Sequence, residues 1–206
     1  MVYYCVYTHE DFKHYELLYH CLPFSRKAKV DKLIRLADKY QAALSYCLLQ
    51  YSLKINNIKI LYQIDKYNKP YDASGKCYFN TSHCEKAVAC IIGDLPNGID
   101  IDRVINHDCY RTIVKKVCNN NEIELLNNSK EPLVEFTKLW TFKESYLKMV
   151  GTGIVGDLKR ICYENCNICY ESNVYKNYVL TYCSSSKEKI IEVSINEIIH
   201  FLNNSL

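Results

Sequence analysis

The chain has 206 residues, of which 49% are hydrophobic and 24% charged, and its formal net charge is +3. This composition excludes an intrinsically disordered chain, and so small a net charge gives no reason to expect nucleic acid or a membrane as a partner. Twelve cysteines would suit a secreted disulfide scaffold, but the first residues lack a signal-peptide pattern and no apolar run approaches the roughly 20 residues of a membrane span. The sequence therefore predicts a cytoplasmic protein with reduced thiols, built as one domain or two small ones.

The first half of the chain mixes strand and helix patterns. Apolar residues at helical spacing predict a long helical region over about residues 29–53. Extended, β-branched or buried segments predict strands over residues 3–7, 58–64, 77–80 and 87–92. Turns are predicted at residues 68–70 and 96–98, where Asn, Pro and Gly cluster.

The second half repeats the order of strand, helix and strands. A strand over residues 98–102 is followed by predicted helices over residues 110–117, 122–126 and 133–150. Tyr- and Val-rich segments then predict strands over residues 168–171, 175–183 and 190–194. Ser194, with Glu197 three residues later, predicts a capping box that opens a last helix to about residue 202. The whole pattern predicts an α+β fold.

Two short segments carry the acidic residues of greatest interest. In the sequence GIDID at residues 98–102, the isoleucines and aspartates alternate, so Asp100 and Asp102 project from the face opposite the core. On the helix that follows, Glu144 and Lys148 lie four residues apart, at the border of an apolar face. That face comprises Phe136, Leu139, Trp140, Leu147 and Val150. Three carboxylates of this kind suit Mg²⁺ or Mn²⁺ rather than Zn²⁺.

Each of these features also has an ordinary structural interpretation. Glu144 and Lys148 alone could form a surface ion pair worth about 0.2–0.5 kcal/mol, and the two aspartates could lie on the solvated face of a half-buried strand. Cys162, Cys166 and Cys169 have the spacing of an iron–sulfur site, but too little chain follows them for the enzymes that use it. The residues around Gly151 are interpreted as a helix stop.

Taken together, the two acidic segments resemble the signatures of a known enzyme family. GIDID is similar to G-[IV]-D-[IV]-[ED], and WTFKESYLK at residues 140–148 is similar to W-x-x-K-E-[SA]-x-x-K, both of 4′-phosphopantetheinyl transferases of the surfactin-synthetase-activating (Sfp) type. The resemblance implies two similar α+β halves related by pseudo-twofold symmetry, with the active site between them. The halves would be residues 1–97, with coenzyme A phosphate contacts, and residues 98–206, with the metal site and catalytic helix.

The resemblance also implies an activity. Such an enzyme is expected to transfer 4′-phosphopantetheine from coenzyme A to a serine of an apo acyl- or peptidyl-carrier protein, in fatty acid or secondary metabolite biosynthesis, and to act as a monomer. The metal, Mg²⁺ or Mn²⁺, would be held by Asp100, Asp102 and Glu144, and the catalytic residues would be Glu144, Lys148 and His83. A non-catalytic module that binds carrier protein or coenzyme A, and a metal-dependent phosphohydrolase, remain alternatives.

Further residues match the family's coenzyme A contacts. Residues 80–83, NTSH, resemble an N-[IV]-S-H loop that would bring Ser82 and His83 to the coenzyme. Basic and turn residues with the same implied role are Arg26, Lys29, Lys69, Pro70 and Lys148. Two departures stand out: Asp102 replaces the usual glutamate, and Gln41 replaces an arginine that would add a fixed positive charge. The carrier protein is expected to dock on residues 110–117, where Arg111, Lys115 and Lys116 would complement an acidic helix.

Overall fold

The computed structural model describes residues 1–65, 69–104, 110–152, 157–163, 166 and 168–204. Helices and strands follow one another in groups through these ranges, with two short 3₁₀ helices at His9–His14 and Leu158–Arg160. The strands are β1 (Val2–Val6), β2 (Tyr62–Ile64), β3 (Pro70–Asp72), β4 (Tyr78–Cys84), β5 (Ala87–Gly93), β6 (Gly98–Arg103), β7 (Cys169–Tyr175), β8 (Tyr178–Ser184) and β9 (Ile190–Glu192). The helices are α1 (Tyr15–His20), α2 (Phe24–Val30), α3 (Leu36–Ile55), α4 (Tyr110–Val117), α5 (Asn120–Asn128), α6 (Pro132–Val150) and α7 (Ile195–Asn203).

The described strands form three sheets. A four-stranded sheet has the order β4-β5-β1-β9, in which β1 and β9 run parallel and the other neighbours antiparallel. A second, antiparallel sheet has the order β6-β8-β7, and β2 pairs with β3 in a small hairpin. The α+β fold predicted from the sequence is confirmed.

Three apolar clusters hold these layers together. The first lies between the four-stranded sheet and helices α1, α3 and α7. The second is formed where the two larger sheets face each other, with Val2 and Tyr4 of β1 packed near Ile99 of β6 and Leu180 of β8. The third joins α4, α5 and α6. Both larger sheets therefore bury one face against the other, which holds β4 and β6 next to each other.

The last strand and helix pack on the first half of the chain. Strand β9 pairs with β1, with Val2 opposite Ile190, and Ile195, Ile198 and Leu202 of α7 join the cluster around α3. The boundary between residues 97 and 98 stays a prediction, and residues 190–203 lie with the elements that precede it.

The helical region predicted over about residues 29–53 is mostly helical, but it is not continuous, because the segment contains parts of two helices. Helix α2 ends at Val30, and α3 begins only after Arg35, whose backbone is extended (φ −80°, ψ 136°). Ile34, between the two helices, is 95% exposed. The apolar spacing continues through this break, so periodicity alone did not reveal it. Helix α1 and the 3₁₀ helix that precedes it were also not predicted.

Several strand boundaries differ from the predicted ones. Residues 80–83 are not a loop between strands, because β4 pairs with β5 from Tyr78 to Cys84. The reversal comes at Glu85 and Lys86, where Lys86 has a positive φ of 65°. Strand β7 continues to Tyr175, beyond its predicted end at residue 171. The capping box of Ser194 and Glu197 is confirmed, since each side chain bonds the other residue's backbone N–H.

Candidate active site

The site is built where β6 lies directly against α6. A Cβ atom at Gly98 would lie 1.9 Å from the backbone oxygen of Ser145 and 2.6 Å from the backbone nitrogen of Met149. Only glycine allows the strand and the helix to approach this closely. The glycine of the GIDID segment therefore sets the distance between the acidic strand and the helix that carries Glu144 and Lys148.

The alternation predicted for β6 is present. Ile99 and Ile101 are buried in the cluster between the two sheets, and Asp100 lies on the opposite face. Asp100 is itself buried, with 7% of its surface exposed, so the interpretation as a solvated strand face is wrong for this residue. Its Oδ1 accepts a hydrogen bond from the Ser82 hydroxyl at 2.6 Å.

Lys148 joins the strands to the helix. Its Nζ donates to Asp100 Oδ1 at 2.6 Å, to Ser82 Oγ at 2.9 Å and to the backbone oxygen of Ile99 at 3.1 Å. The ion pair of Lys148 is thus formed with Asp100 across elements rather than along the helix with Glu144. A charge-assisted network of this kind, once largely buried, fixes its members more firmly than a surface pair does.

Glu144 lies half-buried beside this network. Burial raises the pKa of its carboxyl above the ordinary value, the charge of Asp100 raises it further, Lys148 opposes the shift, and Asp102 adds to it. Glu144 Oε1 is buried and has no hydrogen-bond partner among the described residues. The charges of Asp100 and Asp102 thus both act on Glu144, and these carboxylates outnumber the nearby ammonium of Lys148.

Asp102 lies at the outer end of the acidic strand. Its Oδ1 accepts a hydrogen bond from the backbone N–H of Arg103 at 2.7 Å. Within the described ranges, no group of three or more His, Cys, Asp or Glu side chains is already arranged to hold a metal ion. The metal set of Asp100, Asp102 and Glu144 therefore stays a prediction, although the charges of Asp100 and Asp102 both act on Glu144.

A cleft of about 270 Å³ opens beside these residues. It is lined on one side by Glu144 and Lys148 of α6 and on the other by Lys69, Phe79 and Asn80. Lys69 Nζ donates to the backbone oxygen of Lys148 at 2.9 Å, and burial lowers the pKa of its ammonium while Asp65 opposes that shift. Asn80 Oδ1 is buried without a hydrogen-bond partner in the described part of the chain. The cleft thus offers cations and an amide at its walls.

Ser82 and His83 point to opposite faces of β4, because neighbouring residues of a strand alternate. Ser82 shares the face of Asn80 and meets Asp100, whereas His83 shares the face of Phe79, which packs toward α3. The side chain of His83 is exposed, while partial loss of surrounding water and then the charge of Lys148 lower its pKa. The structure thus brings Ser82 into the carboxylate network, and it leaves His83, on the opposite face of β4, close enough for the charge of Lys148 to act on it.

Two of the other expected coenzyme contacts, Arg26 and Lys29, lie on helix α2. The Arg26 guanidinium lies over the rings of Tyr46 and Tyr62, and its Nε donates to the Tyr62 hydroxyl at 2.6 Å. Tyr62 stacks on Phe79, which lines the cleft. Lys29 is half-buried on the same helix α2, three residues after Arg26.

Pro70 and Gln41 are two further residues that the sequence singled out. Pro70 starts β3 and lines the cleft beside Lys69, although the preceding residues 66–68 lie outside the described residues. Gln41 donates its side-chain N–H to the backbone oxygen of Cys84. Gln41 therefore supports the turn between β4 and β5, next to the strand that carries His83.

One signature residue has a role that the sequence analysis did not assign. Lys143 is completely buried, and its Nζ pairs with Glu122 of α5 at 2.8 Å. It points away from the cleft toward α4 and α5. Its partner Glu122 lies 21 residues away in the sequence. The only sequence signal for Lys143 was its position in the helix signature. Asp65, which lines the cleft and accepts from the Lys69 backbone N–H at 2.8 Å, was missed as well and carries no sequence signal.

Comparison with known proteins is consistent with this geometry. Residues 96–186 match the model of the 4′-phosphopantetheinyl transferase superfamily, ACPS. The chain is 32% identical over 129 residues to the 4′-phosphopantetheinyl transferase gsp of Aneurinibacillus migulanus, covering 60% of this chain and 53% of that protein. It is 31% identical over 108 residues to the 4′-phosphopantetheinyl transferase Sfp of Bacillus subtilis (strain 168), covering 51% and 46%.

A third relative is matched along more of its length. The L-aminoadipate-semialdehyde dehydrogenase-phosphopantetheinyl transferase of Saccharomyces cerevisiae is 24% identical over 231 residues, covering 92% of this chain and 85% of that protein. The chain spans about half the length of the two bacterial relatives. The chain is thus similar to 4′-phosphopantetheinyl transferases, and the segment matched by the family model contains both β6 and α6.

Proposed function

We propose that this protein is an Sfp-type 4′-phosphopantetheinyl transferase, which moves 4′-phosphopantetheine from coenzyme A to a serine of an apo acyl- or peptidyl-carrier protein. The observation that carries the proposal is the meeting of Glu144 and Lys148 with Asp100 and Ser82 beside one cleft. These residues come from a helix and from strands of two different sheets. Sequence similarity to transferases of this kind supports the same activity.

The reaction exchanges one phosphorus–oxygen bond for another. The serine oxygen of the carrier attacks the phosphorus that bears pantetheine, and the bond from that phosphorus to the bridging oxygen of the diphosphate breaks. Adenosine 3′,5′-bisphosphate then leaves. Such a transfer needs positioned groups and neutralised charge more than covalent help from the enzyme.

Glu144 takes the serine proton, directly or through a water that it holds. A general base works best when its pKa lies near the working pH, and burial together with Asp100 raises the pKa of Glu144 in that direction. Its carboxylate also lines the cleft in which the diphosphate would lie. The position and the raised pKa of Glu144 both support this role.

Lys148 and Lys69 supply positive charge to the diphosphate. Asp100 and Ser82 hold the Lys148 ammonium at the wall of the cleft through contacts of 2.6 and 2.9 Å. The ammonium of Lys69 donates a hydrogen bond to the backbone oxygen of Lys148. We place Arg26, Lys29, Pro70, Ser82 and His83 around the rest of the coenzyme, where the three basic side chains would meet its phosphates.

The residues beside the cleft fit a divalent cation. Glu144 has a buried oxygen without a hydrogen-bond partner among the described residues, and Asp100 and Asp102 both raise its pKa, so the carboxylates there carry more negative charge than Lys148 balances. Asp100, Asp102 and Glu144 would hold Mg²⁺ or Mn²⁺ through hard oxygen ligands. When bound, the cation would neutralise charge on the diphosphate. Asp102 has a shorter reach than the family's usual glutamate.

The proposal extends to the setting in which the enzyme works. It would act as a monomer in the cytoplasm, in fatty acid or secondary metabolite biosynthesis, with the carrier protein docked beside Arg111, Lys115 and Lys116 of α4. None of the helices in the described ranges has the length and apolar character needed to cross a bilayer.

Mass spectrometry of the carrier tests the activity. The protein is incubated with coenzyme A, Mg²⁺ and an apo carrier protein, and the carrier is then weighed. We expect an increase equal to one phosphopantetheine group. An unchanged carrier that still binds would favour the non-catalytic module, and breakdown of coenzyme A without an adduct would favour a phosphohydrolase.

A further inference from the structure

A buried ion pair lies on the side of α6 that faces away from the cleft. Lys143 Nζ is 2.8 Å from Glu122 Oε1 and donates to Glu122 Oε2 at 2.9 Å. It also donates to the backbone oxygens of Val117 at 3.1 Å and Leu158 at 2.9 Å. All three hydrogens of the ammonium thus have acceptors, as a buried lysine requires.

These acceptors come from three separate segments. Val117 is the last residue of α4, Glu122 lies in the first turn of α5, and Leu158 begins the second 3₁₀ helix. The carboxylate of Glu122 also accepts from the backbone N–H of Asn119 at 2.8 Å, which completes the capping box of α5. One ammonium therefore holds the end of α4, the start of α5 and the 3₁₀ turn against α6.

Lys143 has no room to contact coenzyme A in this arrangement. Its side chain is 0% exposed, and consecutive residues of a helix point about 100° apart, so it diverges from the neighbouring Glu144. The cleft is lined by Glu144, Leu147 and Lys148 of the same helix. A phosphate could reach Lys143 only if α4 and α5 moved away.

We propose that Lys143 is a positioning residue that acts through Glu122, holding α4 and α5 against α6 and so fixing the direction in which Glu144 projects into the cleft. The proposal rests on the transferase activity proposed above. In this proposal Lys143 supports the structure around the site and does not bind coenzyme A. The surface of α4, with its three basic residues, is held by the same pair.

Steady-state kinetics of three variants of the full chain test the proposal. Lys143→Met breaks the pair, Glu122→Met with Lys143→Met replaces both charges by apolar groups, and Lys138→Met removes a half-exposed ion pair with Glu135 on the same helix as the control. For Lys143→Met we expect kcat to fall about 100-fold, because small misplacements of a catalytic group can have that effect. The KM for coenzyme A should stay within a few fold, and Lys138→Met should match wild type.

The double variant decides between a positioning role and a binding role. If Lys143 acts through Glu122, the double variant should recover most of the lost kcat, since the apolar pair can pack without leaving a buried charge. Two results would overturn the proposal. One is a stable double variant that stays inactive. The other is a Lys143→Met variant in which the KM for coenzyme A rises by about the same factor as kcat falls. Should Lys143→Met not fold, the double variant alone gives the same decision.

Amide hydrogen exchange gives a readout that does not depend on activity. Exchange within residues 110–128 should become faster in Lys143→Met but not in Lys138→Met, because only the first variant releases α4 and α5. Unchanged exchange there would overturn the proposal. If wild type itself fails to modify the carrier, the proposed function is lost, and the exchange comparison still judges the positioning role separately.

Discussion

Two lysines of α6 meet carboxylates in opposite ways. Lys143 faces the single carboxylate of Glu122 in a fully buried pair with its hydrogens all accepted. Lys148, five residues later, bonds to Asp100 at the wall of the cleft, while the charges of Asp100 and Asp102 also act on Glu144. Charge is balanced on one side of the helix and left in excess on the other.

The difference separates a structural pair from a binding site. The charges of Lys143 and Glu122 balance each other away from the cleft, whereas the carboxylates beside the cleft outnumber Lys148 and raise the pKa of Glu144. Two lysines in the same signature therefore have different physical roles, although both are invariant letters of the motif that the chain resembles.

The largest expected effect is on the cleft side. Replacing Glu144 with Gln should reduce carrier modification by about 10³-fold, because it would remove the proposed general base and metal ligand. Coenzyme binding, measured by calorimetry, should change only a few fold. Glu135→Gln, on the same helix but outside the cleft, is the control. Turnover of Glu144→Gln within a few fold of wild type would withdraw Glu144 from the mechanism.

On the buried side, breaking the pair should affect the fold. Glu122→Gln leaves the ammonium of Lys143 buried without its carboxylate, which should lower the free energy of unfolding by about 3–5 kcal/mol. Urea denaturation measures this value. A loss below about 1 kcal/mol, the range of exposed ion pairs, would show that the two sides of α6 do not differ as described.

The contact that holds the acidic strand on α6 can be tested at Gly98. Gly98→Ala places a methyl group on the backbone of Ser145 and Met149, which should lower the free energy of unfolding by about 1–3 kcal/mol or more. Gly93→Ala is the matched control, because its Cβ would meet only Asn97 Nδ2, at an ordinary 3.5 Å. Equal stability of the two variants in urea would contradict the close packing of β6 on α6.

A smaller effect of opposite sign is expected for Glu144→Gln in metal-free protein. The pKa of Glu144 is raised in the folded state, so the stability that this group contributes is present at low pH and is lost as pH rises through the folded pKa. The variant should therefore melt slightly above wild type at pH 7 and not at pH 4. Thermal melts at pH 7 and pH 4 check this. A lower melting temperature of the variant at pH 7 would contradict a raised pKa of Glu144 in the folded protein.

The smallest expected effect concerns His83. Its pKa is lowered in the folded protein, so protonation is linked to unfolding, and stability should fall as pH drops through the unfolded value of about 6.5. Replacing His83 with Gln should flatten that part of the stability profile. Denaturation midpoints at pH 7 and pH 5 measure the change. If stability falls equally with pH in wild type and the variant, the pKa of His83 is not lowered by folding.

Sequence patterns predicted the parts of the site that depend on local rules. Alternation in GIDID gave the face of Asp100, helical spacing gave most of α6, and the Ser194–Glu197 capping box gave the start of α7. Val150 was expected on the apolar face of α6, but it is half-exposed because the helix extends past its packed segment. Trp140, on the same face, is only partly buried.

The remainder depended on contacts between distant residues. Residues 80–83 were predicted as a loop because their polar letters hide the pairing of β4 with β5, and that error concealed the separation of Ser82 from His83. Lys143 and its partner Glu122 are 21 residues apart. Strand β9, at residues 190–192, pairs with β1, at residues 2–4. Neither pairing leaves a local pattern in the sequence.

The position of β9 affects how the protein is made and cut. On the ribosome, β1 emerges well before β9, its parallel neighbour, so this edge of β1 stays uncovered while the intervening residues are translated. A recombinant fragment that stops at residue 186, where the superfamily match ends, would leave that edge permanently bare and prone to self-association.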